Sequence, residues 1–329
     1  MKDRILGPAR LVIGIVASLV LGWLSVRGLE WGLVWENLAS VSVIHILLAV
    51  AIFMLAGWVR AVRWRILFVN EKLSVARLFI VQHEGLGLSN IMPVRVVSEV
   101  TQLAVLTLKD GLRGSTALVA IGMERLVDSA ASVLVLAVAV SFVHEMEQFR
   151  FLIWVAIGII VLAVALFRLF AWGGESIAFI RRIAFLAAMA QSVKTYGGQR
   201  LRLLSSFLVS IVYWLLVGVS AWIVAVAFNL DVSPIKVTFV TMATIFFITA
   251  IPAAPSGIGA FEAAVVYLLG LLGVGKADAF GFALVVHAVF FVPPTVIAVI
   301  FLPREGVSLR RKQKLVVVAS GTANPGQGN

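Results

Sequence analysis

Charged side chains inside long apolar stretches are the residues of this sequence best suited to chemistry. A charged group near the centre of an apolar helix costs about 2.5–3.5 kcal/mol on insertion scales, so it needs either a partner or a task. Carboxylates and guanidinium groups in this setting can bind a charged ligand, carry a proton or act as a general base. The set has seven members: Glu84, Arg95, Glu99, Glu124, Arg125, Asp128 and Glu262.

These seven side chains carry two positive and five negative formal charges. A negative surplus is costly in apolar surroundings, so we expect some carboxylates to be protonated, hydrated or matched by a cationic ligand group. Glu124 and Asp128 are four residues apart in the motif "MERLVD" and share one helix face, and Arg125 lies three residues before Asp128. The motif therefore predicts a compact charged cluster on one helix.

The charged candidates also have a structural interpretation. The "MERLVD" cluster could be an ion-pair network that ties its helix to the preceding segment through Arg95 and Glu99. Glu99 and Glu262 could be carboxylates favoured by the positive ends of helices. Both interpretations stay open at the level of sequence.

Three residues of the motif "RAVRW" point to a membrane surface instead. Arginine and tryptophan near the end of an apolar stretch are typical of anchors at the interface between lipid and water. We therefore predict that Arg60, Arg63 and Trp64 are interfacial anchors rather than substrate ligands. Among the histidines, His83 is expected to be a polar lining residue and His287 a structural residue that faces the interior of a bundle.

Composition identifies the elements that must position these groups. Of 329 residues, 61% are hydrophobic and only 13% are charged, which is the composition of a membrane protein. The net charge of +11 would suggest a nucleic-acid partner in a soluble protein. In a membrane protein, an excess of lysine and arginine is expected in the cytoplasmic loops, so we expect no nucleic-acid partner. Six apolar runs are long enough to span a bilayer: 11–29, 43–62, 116–143, 151–168, 203–228 and 279–302.

Two further apolar runs, 75–108 and 236–273, are interrupted in the middle by proline and glycine. Halves of about 14 residues reach only about 21 Å into a hydrocarbon core that is about 30 Å thick. We therefore predict two re-entrant helical hairpins, with Pro93 and Pro255 at their tips. Paired interruptions of this kind indicate an inverted repeat and a central substrate site; the alternative is a plain proline kink in a spanning helix.

The distribution of basic residues supports this topology. With both hairpins returning to their own side, 21 of the 27 lysines and arginines lie on the cytoplasmic side, together with both termini. The first hairpin would then enter from the cytoplasm and the second from outside, so that their tips meet. The basic segment 175–202 has helical spacing of apolar residues and is predicted to lie on the cytoplasmic surface, where anionic lipids would favour it.

Motifs of soluble chemistry are absent from the sequence. We find no phosphate-binding loop, no HExxH motif, no nucleophile elbow and no cysteine, so we expect no metal site, no cofactor and no enzymatic activity. The domain boundaries follow from the apolar runs: one membrane domain over 1–302, then a tail over 303–329 that begins basic and ends rich in glycine, proline and asparagine.

Four motifs resemble the lysylphosphatidylglycerol synthase transmembrane family, also called the flippase-like domain. They are "RAVRW" (Arg60 to Trp64), "MPVRVVSE" (Met92 to Glu99), "MERLVD" (Met123 to Asp128) and "PAAPSGIGAFE" (Pro252 to Glu262). They follow the family's order and its approximate spacing over nearly the whole chain. The sequence departs from the family pattern at Ser98 and Ser256, where glycine is usual.

The resemblance implies a plasma-membrane protein that moves a lipid or lipid-linked substrate, such as an aminoacylated phospholipid or an isoprenoid-linked sugar. Arg95 and Arg125 would bind a lipid phosphate. The headgroup path between the hairpin tips would be lined or opened by Glu99, Glu124, Asp128, Glu262, Pro255, Gly257 and Gly259. The alternatives are a non-transporting membrane partner of a separate synthase or glycosyltransferase, and an intramembrane transferase that uses one carboxylate as general base.

Overall fold

The computed structural model describes residues 3–68, 71–92, 96–176, 184–250 and 254–306. These residues form twelve α-helices and two short 3₁₀ turns, and the described ranges contain no β-strand. The first six helices are α1 (Asp3–Val26), α2 (Trp31–Ser40), α3 (Val43–Leu67), α4 (Val75–Ile91), α5 (Val97–Leu108) and α6 (Gly114–Ser141). The other six are α7 (Arg150–Ser176), α8 (Ala184–Gly197), α9 (Arg200–Ala227), α10 (Pro234–Ala250), α11 (Ala260–Leu271) and α12 (Lys276–Phe301).

Three helices of the described residues are both long enough and apolar enough to span a bilayer. They are α3, α9 and α12, with 25, 28 and 26 residues. The other predicted spanning runs correspond to α1, α6 and α7, and α6 contains the charged motif "MERLVD". Large apolar side chains face outward along α7, with Trp154 as an example at 73% exposure. An exposed apolar surface of this kind is expected of helices that contact lipid.

Helices α3 and α9 form the centre of the bundle and pack along each other. The Ser220 hydroxyl of α9 donates to the Ala49 carbonyl of α3 at 2.8 Å. Small buried residues on α3, such as Ala49, Ala56 and Gly57, allow the two backbones to approach closely. This central pair presents Arg60 and Arg63 of α3 to α6, and so it positions the candidate site.

The first interrupted run forms a pair of antiparallel helices. Arg77 at the start of α4 contacts Asp110 just after α5, with 2.9 Å between Nε and Oδ1. Nearer the break, a Cβ on Gly85 would lie 2.8 Å from the carbonyl oxygen of Ser98. The contacts are therefore nested around the break, and the chain reverses direction there. The predicted tip residue Pro93 and the candidate phosphate ligand Arg95 lie outside the described residues.

The second interrupted run forms α10 and α11, which also pack against each other. Between them, Pro255–Gly257 form a 3₁₀ turn with positive φ angles at Ser256 and Gly257 (63° and 77°). The Ser256 hydroxyl donates to the Asn90 carbonyl at the end of α4, at 2.9 Å. The two breaks, which are far apart in the sequence, are therefore in contact. Pro252 lies outside the described residues.

Two peripheral features differ in extent from the sequence predictions. Helix α2, which the apolar runs did not predict, is fixed by a hydrogen bond of 2.5 Å from the Asn37 amide to the Asp278 carboxylate. The predicted surface helix is described only from Ala184, as α8, and its Arg181 and Arg182 lie outside the described residues, as does the tail after residue 306. Burial raises the pKa of Tyr196 in α8 to about 12, so its neutral hydroxyl donates to the Leu67 carbonyl at 2.8 Å.

Candidate functional site

A buried ion-pair cluster joins α3 to α6. The Arg63 guanidinium is fully buried and contacts the carboxylates of both Glu124 and Asp128. Arg60, one helical turn earlier, contacts Glu124 with 3.2 Å between Nε and Oε1. The positions are set by helical geometry, because residues three or four apart lie on one helix face. Two arginines of α3 thus meet two carboxylates of α6.

Helix α9 completes the shell around this cluster. The indole N–H of Trp214 donates to Asp128 at 3.1 Å, and the Ser210 hydroxyl accepts from Arg63 at 3.1 Å. The ring of Tyr213 lies 5.8 Å from the guanidinium carbon of Arg60 and 5.6 Å from that of Arg63. A buried ion pair is more stable when its remaining donors and acceptors also find partners, and α9 supplies one to Asp128 and one to Arg63.

Arg125 extends the cluster to the first interrupted run. The Nη2 atom of Arg125 lies 2.7 Å from Oε1 of Glu99 on α5, and the Arg125 side chain is 39% exposed. With Arg60 and Arg63 included, the described cluster has three guanidinium groups and three carboxylates. The negative surplus that the sequence suggested is therefore absent from this cluster, because the two arginines of "RAVRW" lie inside it.

A cavity of about 330 Å³ opens beside the cluster and reaches both breaks. Its polar lining includes Arg60, Asn90, Arg125, Asp128, Ser256 and His287. Its apolar lining is largely aromatic, and includes Phe53, Phe246, Ile248, Phe261, Phe290 and Phe291. A ligand that matches this mixed lining needs a polar or charged part joined to an apolar part.

A second, smaller cavity of about 20 Å³ adjoins the first and shares Arg60 and Tyr213 with it. This volume is enough for about one water molecule, which needs at least roughly 10–15 Å³. Gln82 and His83 of α4 contribute the other polar groups of its lining. The predicted role of His83 as a polar lining residue agrees with this position.

Glu262 lies at the start of α11, where both of its oxygens have partners. Oε2 accepts from the backbone N–H of Gly259 at 2.7 Å, as in a capping box, and Oε1 lies 2.6 Å from Nδ1 of His287. His287 lines the large cavity, whereas Glu262 is not among its lining residues. Glu262 therefore reaches the cavity through the imidazole that it holds.

The profile of the family described as "Lysylphosphatidylglycerol synthase TM region" matches residues 11–298. The chain belongs to this family. The match covers every residue described above in the cluster and in the lining of the cavity, and it confirms the resemblance carried by the four motifs. The family describes a membrane domain, so the chain is a membrane protein. A comparison with curated proteins found no match.

In this family member, the structure brings together most of the charged residues that the sequence singled out. Glu99, Glu124, Arg125 and Asp128 lie in one cluster, whereas Glu262 lies with Gly259 at the second break. Arg95 lies outside the described residues. Glu84 belongs to neither group.

The residues of "RAVRW" are placed differently from the sequence expectation. Arg63 and Trp64 have no exposed surface, and Trp64 packs in a buried cluster with Leu67 and Phe68 rather than on the outer surface. Sequence analysis also passed over the aromatic pair Tyr213 and Trp214. The available signal was the helical spacing of Ser206, Ser210 and Trp214, a polar stripe within an apolar run.

Proposed function

We propose that this protein binds the polar headgroup of a lipid or lipid-linked substrate in the large cavity and moves it across the membrane. The observation that carries the proposal is the cavity itself, which is lined by both charged and aromatic side chains beside both breaks. The charged side chains suit a headgroup, and the aromatic side chains suit the start of an acyl or isoprenoid chain. Aminoacylated phospholipids and isoprenoid-linked sugars both have this chemistry. The role proposed is transport in the plasma membrane, without catalysis.

Arg60 and Arg125 are the phosphate-binding groups of this proposal. Within the described residues, the ion pair of Arg60 with Glu124 uses Nε, and Arg60 also lines the cavity. Arg125 also lines the cavity and is partly exposed. Guanidinium groups bind phosphate oxygens through paired, charge-assisted hydrogen bonds. Arg95, at the first break, is a further candidate for the same phosphate.

The carboxylates and the second break form the rest of the proposed path. The arginines of the cluster form ion pairs with Glu99, Glu124 and Asp128. In the proposal, these carboxylates also contact any positively charged part of the headgroup during transport. Pro255, Gly257 and Gly259 break the helix at the turn that brings Ser256 to the cavity, and Glu262 acts through His287. The contact between Ser256 and Asn90 supports a path between two hairpin tips.

In the membrane, we propose that α4–α5 and α10–α11 are re-entrant hairpins from opposite sides, related as an inverted repeat. The antiparallel α4–α5 pair supports this, because a re-entrant hairpin must return to the side from which it entered. The contact between the two breaks also supports it, because irregular backbone at membrane depth needs protein around it. The short lengths of α5 and α11, 12 residues each, also support it.

The transport proposal predicts that Arg60→Gln and Arg125→Gln lower lipid translocation at least tenfold, while Arg150→Gln does not. Arg150 is exposed and pairs with Glu147 on the surface, so it controls for the loss of one positive charge. The measurement is movement of fluorescent lipids in vesicles of anionic phospholipid that contain the purified protein, with melting temperatures measured on the same preparations.

Wild-type translocation rates in both cavity variants would contradict the assignment of the phosphate site. Translocation by the wild-type protein only when a synthase or glycosyltransferase is added would instead support a non-transporting partner. That outcome would overturn the transport proposal.

The topology proposal predicts which positions are accessible from outside the cell. Because the chain has no cysteine, single cysteines can be introduced without background. We expect cysteines at Glu71, Arg113 and Arg311 to be protected from an impermeant thiol reagent in intact cells, and those at Glu147, Asp231 and Lys276 to react. Labelling at Arg113 without labelling at Glu147 would contradict the re-entrant assignment of α4–α5.

A further inference from the structure

Glu84 of α4 is a buried carboxyl group that the transport site does not use. Its side chain has no exposed surface, and within the described residues neither of its oxygens has a hydrogen-bond partner. It is not among the residues that line the large cavity. An ionised carboxylate without a partner is very costly in such a place, so the arrangement described here favours the neutral, protonated acid.

The helix around Glu84 packs closely against two neighbouring helices. A Cβ on Gly85 would lie 2.8 Å from the Ser98 carbonyl oxygen of α5, and one on Gly87 would lie 2.3 Å from the Pro294 carbonyl oxygen of α12. Helix α4 therefore makes direct backbone contact with two helices on either side of Glu84. Separation of α4 from α5 or α12 would loosen these contacts and admit water to the carboxyl group.

Charged groups near Glu84 lie toward the end of the helices where α4 begins. Arg77 pairs with Asp110 after α5 and with Glu305 after α12, and these three groups act electrostatically on Glu84. Lys109 lies at the same corner, beside Gly306. The guanidinium is already shared by two carboxylates, so it offers Glu84 no free partner.

The geometry points to Glu84 as a proton-binding site that controls the contact between α4 and α12. With the proton bound, the two helices stay packed; loss of the proton leaves a buried charge that is stabilised only when the helices separate and water enters. Pro293 and Pro294 lie inside α12 and supply a place for this movement, because neither residue has a backbone N–H for the helix.

This inference connects to the transport proposal through the cavity, yet it does not depend on it. Leu86 and Asn90 of α4 and Phe291 of α12 all line the cavity, so separation of the two helices would open its wall. Protonation of Glu84 would thereby couple a proton to the exposure of the headgroup site. The helix separation can be measured without any transported lipid.

The test uses spin labels on cysteines at Ala76 of α4 and Val299 of α12, both exposed, in the full chain in lipid nanodiscs. We expect one short distance at mildly acidic pH, and a longer population that grows as the pH rises, because the ionised form favours separation. Glu84→Gln is expected to keep the short distance at every pH. Glu36→Gln makes the same chemical change at an exposed carboxyl group and should leave the pH response of the wild type intact.

Because the amide of Glu84→Gln could itself disturb the packing, Glu84→Met serves as a second neutral variant. Three outcomes would overturn the proposal. The first is a single unchanged distance in the wild type over the whole pH range, and the second is a pH response that persists in Glu84→Gln. The third is failure of both neutral variants to fold, which would show that the site needs a charge. If lipid translocation is absent but the distances change as expected, the transport proposal fails and the proton site stands.

Discussion

Replacing Arg63 by methionine is expected to destabilise the protein by about 3–5 kcal/mol, enough to prevent accumulation of folded protein. The methionine fills similar space but leaves the carboxylates of Glu124 and Asp128 in the bundle without their fully buried partner. Removing one member of a buried ion pair typically costs this much, since the remaining charge keeps its desolvation penalty. The measurement is the yield of monodisperse protein in detergent, together with its melting temperature.

Two further variants separate the loss of charge pairing from the loss of packing. Arg63→Met combined with Asp128→Asn leaves two guanidinium groups with two carboxylates, because among the described residues Asp128 pairs only with Arg63 whereas Glu124 also pairs with Arg60. This double variant removes the uncompensated charge and should recover most of the folded yield. Arg150→Met removes an exposed arginine and should cost about 1 kcal/mol or less, because surface pairs contribute little. A single variant Arg63→Met that is as stable as the wild type would show that the cluster does not hold α3 to α6.

Replacing Gly259 by alanine is expected to cost about 2–5 kcal/mol. Two effects add: Gly259 has φ = +83°, which costs an L-residue roughly 1–2 kcal/mol, and overpacking adds roughly 1–3 kcal/mol. The overpacking arises because the new Cβ would lie 2.3 Å from the backbone carbonyl oxygen of Ser18 on α1. That atom is part of a helix backbone and cannot move aside as a side chain would.

Gly273 is the matched control for this variant. It has the same φ of +83°, but a Cβ there would meet no atom within 4 Å. Gly273→Ala should therefore show the backbone cost alone, and the difference between the two melting temperatures measures the contact of the second break with α1. Equal losses at the two positions would mean that this contact contributes nothing.

The sequence predicted the helices and their interruptions well, because both depend on local patterns. Apolar runs of about 20 residues and the positions of proline and glycine are visible without tertiary structure, and α4–α5 and α10–α11 break where those residues cluster. The ten-residue helix α2 was missed, because a short helix with exposed Trp31 and Trp35 gives little periodic signal.

The site was predicted only in part, because its decisive contacts join distant residues. The spacing of Glu124 and Asp128 predicted a cluster on α6, and the ion pair of Arg125 with Glu99 is the connection expected between α6 and the first interrupted run. The partner Arg63, however, is 61 residues from Glu124 in the sequence. An arginine near the end of an apolar run can be either an interfacial anchor or a buried ion-pair partner. Only the packing against α9 distinguishes these two roles.

The attachment of α1 to the second break sets the order in which the molecule can be assembled during synthesis. The Ala254 N–H donates to the Ser18 hydroxyl at 2.7 Å across 236 residues of sequence. The Asn90 carbonyl accepts from Ser256, which is synthesised 166 residues later. A helix made at the outset therefore remains without its neighbour until nearly the whole chain has left the ribosome. Long-range contacts of this kind form late and slowly. Until then, the nascent chain presents incomplete helix surfaces inside the bilayer, where membrane chaperones and proteases would recognise it.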